Sequence, residues 1–178
     1  MLINLLLGFL LLFVIALFFT MVLHLFILKV PYVPTPARVA QAMVQLARLR
    51  GSEKIYDLGA GDGAILIAAK RAHPGVTAIG IELVPTIWLL GWLRILLSRV
   101  SIQFRLQSAL KTDIRDADVI FLYVTPFLMQ QLEPKFDREL RKGTVVISHT
   151  FRFASHKPIE EKNISGMLGQ HRIFRYEW

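Results

Sequence analysis

The chain has no cysteine, so disulfides, thiolate nucleophiles and sulfur-based zinc sites are excluded. Charge is missing from residues 2–28, where Asn4, Thr20 and His24 are the only clearly polar side chains. No Lys or Arg precedes Lys29, and no Ala-x-Ala step closes the apolar run. A cleaved signal peptide needs both, and a shorter run. No Lys/Arg cluster is interleaved with aromatics, so no nucleic-acid partner is expected. No repeat or low-complexity linker divides the 178 residues, which suffice for one domain with a proper core.

What is present begins with that uncharged run. As a helix, Leu2 to Leu28 would be about 40 Å long, enough to cross a hydrocarbon core of about 30 Å with tilt. The run is expected to be a single uncleaved transmembrane anchor. Positive charge follows it at Lys29, Arg38, Arg48 and Arg50 and never precedes it. The expected orientation is N-terminus outside and the remainder cytoplasmic, in a bacterial inner membrane or an inner mitochondrial membrane. The whole net charge of +8 then sits in residues 29–178, which suits anionic headgroups. The expected layout is an anchor at 1–29, a proline-rich segment with a lead-in helix at 30–50, and the main domain at 51–178.

Pro31, Pro34 and Pro36 keep their segment extended until a helix starts, with Pro36 in its first turn and Thr35 as N-cap. That helix is expected over 37–50. Strand and helix patterns then alternate. Strands are expected at 54–58, 77–82, 102–106, 118–123 and 144–148, and helices at 63–72, 85–99 and 126–141. Gly143 would cap the last helix. Two strands near 164–168 and 172–177 would meet at a Gly169-Gln170 turn. The pattern predicts an α/β fold, Rossmann-like and doubly wound. Its sheet would be mostly parallel with seven strands, closed by a C-terminal antiparallel hairpin.

The helix at 85–99 is apolar around most of its circumference, with Gly91, Arg94 and Ser98 as its polar stripe. A helix lying on a sheet needs only one apolar face. Its outer side, with Trp88 or Trp92, is expected at the membrane interface or against the anchor. Burial by the C-terminal segment or a second subunit would also account for it.

The sequence Asp57-Leu58-Gly59-Ala60-Gly61-Asp62-Gly63 lies between a predicted strand and a predicted helix. Glycines allow close backbone approach, and a helix start offers N–H groups to an anion. The run satisfies the loose dinucleotide pattern and, more fully, the acidic-x-G-x-G-x-G pattern of methyltransferases. Glu82 ends the second strand, where an acid accepts hydrogen bonds from ribose hydroxyls in either class. The acid at Asp57, and too little chain for a dehydrogenase's substrate domain, weigh for S-adenosylmethionine over nicotinamide.

With these residues in place, the chain resembles the seven-strand S-adenosylmethionine-dependent methyltransferases. It is similar to the small membrane-anchored group whose mitochondrial members methylate lysine in the ATP synthase c-subunit and the adenine nucleotide translocase. The matching stretches are 31–36, 56–63, 80–85, 117–121, 132–135, 139–143 and 145–148. The resemblance implies that Gly59, Ala60, Gly61, Asp62 and Gly63 approach the methionine part of the cofactor. It implies that Glu82 holds the ribose, that Leu83 lies on the adenine, and that Asp57 orients the turn or the cofactor's amino group. Tyr32, Pro34 and Thr35 would close over the methionine end. Many such enzymes carry an acid for the adenine amino group after the third strand; here Gln107-Ser108 stands there, leaving Ser108 or Gln107 to accept that bond.

Methyl transfer from a sulfonium needs positioning more than acid–base chemistry. A lysine acceptor must arrive neutral, which a desolvating pocket favours. Tyr123 and Thr125 follow the fourth strand, where acceptors sit in such sheets, and are the candidate catalytic contacts. A strand-end aromatic and a helix N-cap are their plain structural alternatives. His149 and His156 lie near the same rim as possible bases or ordinary loop histidines. Asp113, Asp116 and Asp118 form no metal-ligand pattern, and no metal is expected. Three functions remain open: a lysine methyltransferase acting on a membrane protein, a methyltransferase for a lipid or hydrophobic small molecule, and a non-catalytic cofactor-binding membrane module.

Overall fold

The computed structural model describes residues 2–28, 32–166 and 169–178. Two compact units are present, Met1–Tyr32 and Val33–Trp178. The first contains α1 (Leu2–Leu28), 27 residues long. Side chains are described without interruption only over residues 3–16, and all of these are exposed. Among the described residues no helix is long and apolar enough to cross a membrane. The span expected at 2–28 therefore rests on the sequence. Lys29, Val30 and Pro31, which were expected to begin the positive flank and the proline segment, lie outside the described residues.

The second unit is built on a seven-stranded sheet in the order β3-β2-β1-β4-β5-β7-β6. Its strands are β1 (Lys54–Leu58), β2 (Thr77–Glu82), β3 (Gln103–Leu106), β4 (Val119–Leu122), β5 (Val145–His149), β6 (Glu160–Gly166) and β7 (Gly169–Glu177). Strands β1 to β5 are parallel, and the β6–β7 hairpin adds antiparallel to β5. The expected sheet is thus present. The hairpin register differs from expectation: Gln170 pairs with Ser165 and Gly169 with Gly166, so Gly169-Gln170 opens β7. The connection falls at 167–168, outside the described residues.

Alternation along the strands sorts the core onto two faces. Ile55, Ala78, Phe121, Ile147 and Ile173 point to one face, under α2 (Ala37–Ala47) and α3 (Ala64–Ala72). Leu58, Ile79, Ile120, Val146 and Phe174 point to the other, under Met129, Leu132 and Phe136 of α5 (Pro126–Glu139). Helix α4 (Pro85–Ser98) shares the α3 face. Gly80 has no side chain, so the Phe104 ring crosses β2 beside Leu66, and Gly91 of α4 rests on that ring. Three helices therefore cover one face and one covers the other. Loops 107–118 and 150–159 fill in there, contributing Ala109, Ile114, Ala117 and Phe153.

Several helix ends differ from the sequence expectation. Helix α2 starts from Pro36, whose carbonyl accepts from Val39 and Ala40, and Thr35 provides no cap. It stops at Ala47 because Arg48 turns left-handed (φ 55°). Helix α5 ends at Glu139 with Leu140 as C-cap. Gly143 instead serves the sheet, its N–H donating to the Trp178 carbonyl (2.6 Å) at φ 89°.

Candidate cofactor and acceptor site

Strand β1 delivers Asp57 and Leu58 to the carboxyl end of the sheet, where Gly59, Gly61 and Gly63 all take positive φ (84°, 57° and 75°). A side chain at Gly59 would meet Val124 Cγ1 at 2.8 Å, so the turn passes directly under the end of β4. The turn is tied to β2. Gly59 and Ala60 N–H donate to the Ile81 carbonyl (2.9 and 3.0 Å), and Gly61 N–H donates to Glu82 Oε2 (3.0 Å). Gly63 N–H donates to the Ala60 carbonyl (2.8 Å), and Ala64 N–H to Asp62 Oδ1 (3.2 Å). These five donors are used internally. The turn is therefore not the N–H cradle for an anion that its glycines suggest, which argues against a pyrophosphate.

Two buried carboxylates flank the turn instead. Asp57 is 1% exposed, and neither oxygen has a hydrogen-bond partner. Burial, with the Glu82 charge second, pushes its pKa up to about 8. Glu82, on the same face, accepts at Oε1 from Leu83 and Val84 N–H (both 2.9 Å) as well as from Gly61. Orphaned carboxylate oxygens beside a glycine turn fit a ligand bearing positive charge, as the ammonium and sulfonium of S-adenosylmethionine do. Leu83 is exposed at the same edge. Gln107 N–H donates to the Glu82 carbonyl (2.9 Å), which brings Ser108 alongside.

Helix α4 holds the turn from outside. Gly91 lies on the Gly61 carbonyl, 2.6 Å from where a side-chain carbon would stand. Arg94 donates to Asp62, and Ile95 covers Gly63. Gly91, Arg94 and Val124 were not read as contacts of the turn; for Gly91 and Arg94 the small and polar stripe on an otherwise apolar helix was the available signal. Of the two tryptophans offered for the outer side, Trp92 is exposed, whereas Trp88 stacks on Phe104 and donates to its carbonyl (3.3 Å).

The side where the acceptor was expected is formed by the ends of β4 and β5. Tyr123 packs its ring 4.1 Å from that of His149. His149 is buried, and its Nε2 lies 3.1 Å from His171 Nδ1. Burial, then the nearby His171, pushes His149 down to about 4, so it is neutral at physiological pH. Thr125 caps α5 by accepting from Leu128 N–H (3.4 Å). His156 is drawn away to Glu133 (3.0 Å) and Asp137 (3.3 Å). Asp116 and Asp118 bind the start of β1 through Lys54, Tyr56 and the Lys54 N–H, at the opposite end of the sheet. Pro34 and Thr35 lead into α2, and Tyr32 ends the first unit. The chain passes from the end of α2 at Ala47 straight to the start of β1 at Lys54, so the first turn of α2 points toward the carboxyl ends of the parallel strands.

This strand order, with a glycine turn after β1 and an acid ending β2, defines a class I methyltransferase. The chain belongs to the family described as the ANTKMT methyltransferase domain, whose model matches residues 57–160. It is 30% identical over 149 residues to a protein-lysine N-methyltransferase of Saccharolobus islandicus, covering 83% of this chain and 92% of the relative. It is 34% identical to the mouse adenine nucleotide translocase lysine N-methyltransferase, covering 74% of this chain and 58% of the relative. It is 33% identical to the human lysine N-methyltransferase of the ATP synthase c-subunit, covering 72% and 54%. The chain thus spans little more than half of these two mammalian relatives. An RNA methyltransferase of Salinibacter ruber, solved with S-adenosyl-L-homocysteine, superposes with a TM-score of 0.75 at 33% identity, covering 82% of this chain and 93% of that one. S-adenosylmethionine is the cofactor of this enzyme.

Proposed function

We propose that the enzyme N-methylates a lysine side chain of a membrane-associated protein while anchored in the membrane by α1. The substrate class is supported chiefly by the Saccharolobus protein-lysine N-methyltransferase, of which this chain covers 92%. The uncharged Leu2–Leu28 helix, 27 residues long, supports the anchor. The two mammalian relatives are named for lysine methylation of the adenine nucleotide translocase and of the ATP synthase c-subunit, which supports a membrane-protein target.

The bound cofactor supplies a methyl group on a cationic sulfur that leaves as a neutral thioether. Asp57 takes the amino group, Glu82 the ribose hydroxyls and Leu83 the adenine face, with Ser108 accepting at its edge. Gly59, Ala60, Gly61, Asp62 and Gly63 shape the floor, and Pro34 and Thr35 close the methionine end. Tyr123 and the backbone before Thr125 orient the incoming amine. Neutral His149 adds no charge at that rim, and desolvation of a lysine seated there favours the uncharged amine required for attack.

Membranes incubated with methyl-labelled S-adenosylmethionine and the enzyme test the proposal. Label in a protein band, mapping to lysine, is expected. Label in the organic extract would instead establish a lipid or hydrophobic small-molecule acceptor. Label in RNA would align the enzyme with its Salinibacter neighbour, and either result overturns the lysine reading.

A further inference from the structure

Helix α4 buries Ile87 and Ile95 yet also carries apolar residues on the side away from the protein. Gly91, Arg94 and Ile95 face inward on the glycine turn. Leu90, Trp92, Leu93, Leu96 and Leu97 face outward, Leu97 being 81% exposed. Beside the last turn a groove of about 490 Å³ opens between α4 and β3, lined by Trp92, Leu96, Arg99, Ile102 and Phe104 among others. A continuous exposed apolar surface of this kind marks an interaction site.

Charge decides for what. Residues 83–112 contain Arg94, Arg99, Arg105 and Lys111 and no Asp or Glu. Arg94 is engaged by Asp62, while Arg99, Arg105 and Lys111 are exposed. A second copy of this face would set the same cations against each other, which disfavours self-pairing. An apolar helix side bearing tryptophan, with exposed cations at its last turn and along the adjoining sheet edge, matches the boundary of an anionic bilayer.

We propose that the outer face of α4 and the adjoining β3 edge dock on an anionic lipid surface. Trp92, Leu93, Leu96 and Leu97 enter the boundary between headgroups and acyl chains, and Arg99, Arg105 and Lys111 meet headgroup phosphates. The identity of the methyl acceptor does not bear on this contact.

Because the chain lacks cysteine, Leu97→Cys and Lys162→Cys each create one labelling site, at opposite edges of the sheet. The full-length variants, carrying an environment-sensitive dye, are placed in nanodiscs of phosphatidylcholine alone or with phosphatidylglycerol. In the anionic discs, spin-labelled acyl chains should quench the dye at 97 and spare the dye at 162. The triple change Arg99→Glu, Arg105→Glu and Lys111→Glu should bring quenching at 97 down to the level at 162 with cofactor affinity retained. High salt should do the same to the Leu97→Cys chain without the charge reversal. Equal quenching at both positions, or none, overturns the proposal. So does a dye at 97 that is shielded yet unquenched by lipid, which would show α1 or a second copy covering the face. Quenching that persists through both charge reversal and high salt also overturns it.

Discussion

Asp57 and Glu133 are both buried carboxylates in one small domain, on opposite faces of the same sheet, and they are treated in opposite ways. Asp57 has no partner and is pushed up to about 8, chiefly by burial. Burial also acts to raise Glu133, but His156 and the N–H groups of Ser155 and Ala154 outweigh it and hold Glu133 below the usual range. One acid is left incomplete beside the glycine turn. The other is completed by the protein and latches the 154–156 loop to α5, where His156 also stacks on Trp178 at 4.3 Å. An unsatisfied buried group costs stability, so it persists where a ligand completes it.

The contrast can be broken most directly at the cofactor side. Asp57→Ala and Glu82→Ala should each weaken S-adenosylmethionine binding by about 100-fold, as a lost charge-assisted contact or three orphaned N–H groups would. Calorimetric titration of folded variants checks this, and unchanged affinity in both would remove the site. Glu133→Ala should do the reverse, lowering stability by about 2–4 kcal/mol in denaturant melts with cofactor affinity intact. Gly91→Ala drives a methyl into the Gly61 carbonyl, so cofactor affinity should fall about tenfold, with a stability loss of about 1–3 kcal/mol.

The two acids should also give opposite pH slopes. The Asp57 pKa is raised on folding, so the stability of the ligand-free protein contributed there is present below about 4 and is lost as pH rises toward about 8. Asp57→Asn should remove that slope in melting temperature. The lowered pKa of Glu133 gives stability present above the ordinary carboxylate pKa and lost in acid, and Glu133→Gln should remove that one. The smallest effect is expected at Thr150, a β-branched residue at φ 74° just after β5. Thr150→Gly should stabilise the fold by about 1 kcal/mol in the same melts.

The cofactor's identity was legible because the residues that point to it are local. Asp57, the three glycines and Glu82 lie at fixed offsets along one strand–turn–helix–strand path. The succession of strands and helices and the C-terminal hairpin also followed from the sequence pattern. What escaped was contact across distance. No sequence pattern shows that Glu133 meets His156 or that His149 meets His171, since these pairs are 23 and 22 residues apart. Helix ends set by left-handed residues such as Arg48 escaped too, because arginine is not a usual signal for that conformation. Gly143 was misplaced because its bond to Trp178 depends on sheet closure.

The absence of any side chain between Gly91 and the Gly61 carbonyl has a kinetic consequence. Side chains usually cushion a helix against the loop beneath it and let each fluctuate separately. With backbone resting on backbone, opening of α4 and opening of the glycine turn become one event with one rate. Amide hydrogens along Gly59–Gly63 and the middle of α4 should then exchange in step, and that shared rate should set the upper limit on how fast spent cofactor escapes.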